Sequence, residues 1–148
     1  MVAEYDRGGI RFSYPDNWTI FDESVERLPA TVSLQSPGTA FWTLGVYPHE
    51  KGPRTVAAEA LKELQAEYDG VESEPIDEEW ESIETVGYEM RFFHVELIVA
   101  CRVVAFRAGG RTWITWWQAE DSEFEALTEV FRAMTVSLLR SGRDEPAR

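Results

Sequence analysis

The chain has 148 residues, 44% of them apolar and six of them Trp, with 27 acidic side chains against 14 basic ones and a net charge of −13. That length is one domain, which buries roughly 70% of the surface its unfolded chain exposes and needs no disulfide or metal to hold it. Phosphate backbones and anionic leaflets repel so acidic a surface, which excludes nucleic acid and the membrane surface as partners.

The first apolar segment, Ile10 to Tyr14, alternates strictly and predicts a strand with one buried face. Gly8-Gly9 precede it, and Pro15-Asp16-Asn17 is turn chemistry leading to a second strand at Trp18 to Phe21, so the two are expected to form a hairpin. Thr31 to Gln35 alternates again, and Ser36-Pro37-Gly38 turns the chain into a strand whose Ala40, Trp42, Leu44 and Val46 share a face. A helix is predicted over 55–68, with Ala57, Ala60, Leu61, Leu64 and Tyr68 as its buried stripe and Gly70 where a left-handed cap belongs.

Val71 to Glu84 holds seven acids in 14 positions and Pro75, the composition of an edge strand or a loop. Strands follow over Thr85 to Val95, Leu97 to Phe106 and Thr112 to Gln118, the last two joined at Ala108-Gly109-Gly110. Leu97 to Phe106 is apolar on both faces apart from Arg102, which places it at the centre of a sheet covered on both sides. Ser122-Glu123-Phe124-Glu125 reads as a capping box opening a second helix over 122–135, with Phe124, Leu127, Phe131 and Met134 inward. Leu138 extends that helix or begins a final strand, and 141–148 is expected to be a loose tail after a single domain over 1–140. The fold class is α+β: an antiparallel sheet of six or so strands with helices packed on it.

Gly9 to Trp18, Thr85-Val86-Gly87-Tyr88, the Gly-tipped hairpin and the Phe-rich last helix ending in Val136-Ser137-Leu138 together resemble the PsbP-like family, which includes the Ran-binding Mog proteins and DcrB-type bacterial proteins. The likeness spans residues 8 to 139. It implies an α/β/α sandwich around an antiparallel sheet, and a role in binding. Members of the family bind a small GTPase, photosystem subunits or, in the Eag chaperones, hydrophobic effector segments.

Chemistry-bearing residues are sparse. His49 and His94 are 45 positions apart and Cys101 is the lone cysteine, inside an apolar run where a buried, inert thiol is usual. Asp77-Glu78-Glu79 lacks the alternation and glycine of a calcium loop, so no metal is expected, and no motif calls for a cofactor. No nucleophile elbow or phosphate loop occurs. His94, with Glu96 or Glu89 behind it, is the one candidate general base, and a structural histidine is the plainer reading. Trp113 and Trp117 share one face of their strand while Trp116 takes the other, so one of these rings is a candidate for an exposed patch. Arg102 in its apolar strand demands a carboxylate or an opening to water.

The candidate binding residues are therefore Arg102, Trp116, Trp117 and His94, in a domain expected to bind without catalysis. The expected partner is another protein or a second copy in a weak homodimer strengthened by salt. The alternatives are a carrier of small apolar ligands, with a pocket lined by sheet aromatics, and an enzyme centred on His94. No 18-residue apolar stretch and no charged-then-apolar leader occurs, so the expected location is cytoplasmic.

Overall fold

The computed structural model describes residues 1–23 and 25–144. Its elements are β1 (Val2–Arg7), β2 (Ile10–Pro15), β3 (Thr19–Glu23), β4 (Ala30–Gln35), β5 (Phe41–Pro48), α1 (Pro53–Glu67), β6 (Glu72–Trp80), β7 (Ile83–His94), β8 (Leu97–Ala108), β9 (Arg111–Glu120) and α2 (Asp121–Asp144). Seven strands form one antiparallel sheet in the order β3-β4-β5-β9-β8-β7-β6, and β1 and β2 form a separate two-stranded hairpin.

The α+β architecture follows the sequence pattern, with corrections to the first hairpin and to both ends of the second helix. Ile10–Pro15 pairs with Val2–Arg7 across the Gly8-Gly9 turn, while Thr19–Glu23 joins β4 in the large sheet, so the expected pairing of the first two segments does not form. Both glycines have positive φ, which suits a two-residue hairpin turn at no steric cost. The acidic stretch is β6, an edge strand. The second helix begins one residue early, where the Glu120 carboxylate caps it by accepting from the Ser122 and Glu123 amides, so Ser122 donates to that cap instead of supplying one. It then runs to Asp144, because Leu138 and Leu139 are both buried and continue the stripe; of the expected tail, only 145–148 lies outside the described residues.

Two cores lie on opposite faces of the sheet. On one, Val56, Ala57, Ala60 and Leu64 of α1 cover Met90 and Phe92 of β7, Cys101, Val103 and Ala105 of β8, and Ile114 of β9. On the other, α2 and the β1–β2 hairpin cover β3 to β5, β8 and β9, burying Val32, Leu34, Trp42, Leu44, Phe106 and Trp117. β8 is thus covered above and below, as its sequence requires. On the α1 side β3, β4 and the first part of β5 stay open, and there Thr31 and Gln35 face water while the Ser33 and Thr43 hydroxyls bond to each other at 3.0 Å.

Within the apolar contact between α2 and the sheet lies one buried polar set. Trp42 and Trp117 are paired across β5 and β9, and both indole N–H groups donate to the Thr135 hydroxyl, at 3.2 and 3.1 Å. Thr135 in turn donates to the Phe131 carbonyl at 3.0 Å, so a fully buried group has every partner it can use. Phe131 stacks on Trp117 with centroids 5.5 Å apart and receives the edge of Trp18 at 6.0 Å.

Thr135→Val keeps the shape of the side chain and strands two buried indole donors, so a loss of about 2–4 kcal/mol is expected in urea melts, while Thr135→Ser should lose much less. Trp18→Ala removes a ring that is 7% exposed and should cost about 3–5 kcal/mol. A change in midpoint below about 1 kcal/mol for either would show that the helix is held elsewhere.

Candidate functional site

Strand register places Arg102 opposite Glu89 on β7 and Trp117 on β9. Its guanidinium binds the carboxylates of Glu89 and Glu78, the latter at 2.9 Å, and lies 5.5 Å from the Trp117 ring centre and 5.9 Å from that of Trp80. Arg132 of α2 sits over the other part of this cluster, 5.1 Å from the Trp80 ring. The side chain of Arg102 is only 12% exposed, so the sequence demand for a carboxylate is met twice over. Glu78 also accepts from the Trp80 indole at 2.8 Å; that bond, and then Arg102, hold its carboxyl below the ordinary range. This arrangement ties the acidic edge strand β6 to the sheet.

The tryptophans do not form one patch. Trp117 is 1% exposed, beneath Phe131, so it belongs to the core and its replacement would damage folding. Trp116 faces the α1 side, half-buried at the margin of that core, and donates to Gln118 at 2.9 Å. Trp113 is half-buried too and donates to the Ala108 carbonyl. His94 is exposed and meets the Tyr68 ring edge-on at 5.3 Å. Glu89 lies on the opposite face of β7, engaged with Arg102, and Glu96 belongs to the turn beyond it, so neither is placed to orient the imidazole. Cys101 is buried, and burial pushes its thiol well up. Among the described residues no group of three or more His, Cys, Asp or Glu side chains is placed to hold a metal ion.

An open cleft of about 630 Å³ lies at the start of α1, lined by residues including Arg54, Arg107, Ser82 and Glu84. None of the sheet tryptophans lines it, so it is not the aromatic pocket that a carrier of apolar ligands calls for.

Among the described residues, four of the exposed large apolar side chains gather on the β7–β8 hairpin, the others being Met1, Val2 and Phe21. Phe93 is 73% exposed, Val95 77%, Leu97 47% and Ile98 41%. The pairs Phe93–Ile98 and His94–Leu97 extend past the ends of both neighbouring strands, since β6 starts opposite Arg91 and β9 ends opposite Val99. The turn residues Val95 and Glu96 have φ of 47° and 64°. Positive φ at both central positions is the type I′ pattern, which favours Asn-Gly or Gly-Gly and disfavours a β-branched residue. In the sequence both segments flanking this tip have the pattern of ordinary strands. The signal was there in the absence of Gly, Pro, Asn or Asp between two long strands.

The fold matches solved structures along nearly its whole length. The solution structure of cyanobacterial PsbP from Synechocystis sp. PCC 6803 aligns with a TM-score of 0.66 at 14% identity, covering 92% of this chain and 90% of that one. LpqN of Mycobacterium tuberculosis, described as involved in cell envelope biogenesis, gives 0.54 at 14% identity with 90% and 87% covered. PA94 of Pseudomonas aeruginosa, described as a protein of unknown function, gives 0.52 at 14% identity with 93% and 95% covered. No family model and no curated protein matches the sequence. The chain has a PsbP-like fold, as the likeness in its sequence implied.

The Glu78 carboxylate is stabilised in the folded state, so its contribution is present above the ordinary carboxyl value of 4.5 and is lost as pH falls through its lowered value. Wild type should therefore lose stability more steeply than Glu78→Gln on acidification below that value, the two melting curves converging at the acid end. Parallel curves would show that the Arg102 cluster contributes nothing to acid sensitivity.

Proposed function

We propose that this domain binds a protein partner without catalysis and that the β7–β8 tip is its contact element. The observation that carries the reading is Val95, which holds a left-handed backbone at φ 47° while its side chain is 77% exposed.

Among the described residues four two-residue turns join antiparallel strands, and all have positive φ at both positions. Gly8-Gly9 and Gly109-Gly110 meet that demand freely. Glu81-Ser82 does not, but Glu81 forms an ion pair with Arg140 of α2 at 3.2 Å, which gives the side chain a role within the fold. Val95 brings strain of about 1–2 kcal/mol and an apolar surface that the folded monomer leaves in water. Residues kept in costly backbone states cluster where binding or catalysis uses them, and exposed contiguous apolar patches mark interaction sites. The PsbP-like resemblance points the same way, because members of that family act by binding.

Val95→Asn tests this, since asparagine tolerates the left-handed region and leaves the charge unchanged. The variant should gain about 1 kcal/mol, or roughly 2–4 °C in melting temperature, and should fail to retain proteins that wild type retains from the same extract. Equal retention by the two proteins, or a variant no more stable than wild type, would remove the basis for assigning the tip this role.

A further inference from the structure

Resting on that reading of the tip, we infer that its partner is a basic amphipathic segment of another protein: an apolar surface that takes Phe93 and Ile98, which pair on one face of the hairpin, together with Val95 at the turn, rimmed by Lys or Arg. The charges around the tip decide this. No Lys or Arg occurs from Phe92 to Ile98, and Glu96 sits at the apex of the turn. At the base, Glu72 pairs in register with Arg91 on β7, and Glu120 with Val99 on β8. The nearby cation, Arg91, is bound to Asp121 at 3.1 Å and the Glu120 carboxylate is taken up in capping α2, which leaves Glu72 and Glu96 as the excess.

Covering the apolar residues brings these carboxylates against the partner and strips part of their water. A neutral or acidic partner would leave them desolvated without compensation, whereas a cationic rim restores their interactions and speeds encounter. The whole chain adds to the selection. At −13 it repels both a second copy of itself and an anionic bilayer, and both repulsions weaken with salt. Attraction to a basic segment weakens with salt as well, so the sign of the salt effect separates a basic partner from a second copy.

The probes are synthetic amphipathic helices of about 18 residues, five turns, built from Leu and Lys, from Leu and Glu, or from Ser and Lys. Binding to labelled peptide is read by fluorescence anisotropy with wild type, Val95→Asn and Glu96→Gln, at about 0.05 M and about 0.5 M salt. The Leu/Lys peptide should bind wild type, lose about tenfold in affinity at the higher salt, and lose a comparable factor with Val95→Asn. Glu96→Gln should weaken it severalfold and flatten the salt dependence, while the Leu/Glu peptide should not bind and the Ser/Lys peptide should ignore the Val95 substitution.

Equal binding of Leu/Lys and Leu/Glu peptides, both sensitive to Val95→Asn, would overturn the basic rim and leave the tip as the contact element. Leu/Lys binding that ignores Val95→Asn would overturn both statements. A dimer in sedimentation that grows with salt and is lost in Val95→Asn would make a second copy the occupant and overturn the inference. Tip-dependent binding to phosphatidylcholine vesicles with none to the Leu/Lys peptide would overturn it in favour of lipid.

Discussion

The hydroxyl of Thr135, buried between helix and sheet, fixes how the two layers meet. Two indoles from adjacent strands converge on it, and its own proton goes to the Phe131 carbonyl one turn back. Hydrophobic burial is tolerant of small slips along a helix; a three-membered hydrogen-bond set in a dry core is not, because a buried donor left without its acceptor loses its full solvation. The register of α2 against β5 and β9 is set at this point. The stacking of Phe131 on Trp117, the edge contact of Trp18 and the seating of the β1–β2 hairpin follow from it.

A second polar set secures the far end of the same helix. The Glu123 carboxylate of α2 accepts from the amides of Thr39 and Ala40, the first at 2.8 Å, and from the Thr39 hydroxyl, which holds the loop between β4 and β5 against the helix start. At the opposite sheet edge, Arg102 anchors β6 through Glu78 and Glu89. Each set solves a problem raised by this composition. A chain with so many carboxylates folds by giving its few cations and its free amides to the acids that must lie near the core, and by leaving the remainder in water. Much of the mutual repulsion of the exposed acids is screened at ordinary ionic strength.

Against this economy the β7–β8 hairpin stands apart. Its shaft is well placed: Met90 and Phe92 lie under α1, Tyr68 stacks on Phe92 at 4.1 Å, and Gly87 lets β8 approach so closely that a Cβ there would overlap the Val103 carbonyl. Its end runs past both neighbouring strands and shows the solvent an apolar surface on a strained turn. With rigid support below and an apolar surface above, a contact made at the tip would lose little conformational freedom.

By itself the sequence determined the fold class, the approximate span of α1, the two-faced burial of β8, the buried state of Cys101 and the need of Arg102 for a carboxylate. All of these rest on near-neighbour spacing along the chain or on one residue's solvation energy, and both can be read without knowing what lies across the core. Three things needed the tertiary structure. The partner of Ile10–Pro15 depended on whether β1 exists, and Val2 to Arg7 shows too little apolar alternation to announce it. Trp116 and Trp117 looked equivalent in the chain, yet Trp117 lies beneath Phe131 and Trp116 at the margin of α1, because the two helices cover different lengths of the sheet. The tip at Val95 looked like the end of one strand and the start of another. Its exposure follows from where β6 and β9 stop, and strand ends are set by pairing between segments distant in sequence, which no local pattern encodes.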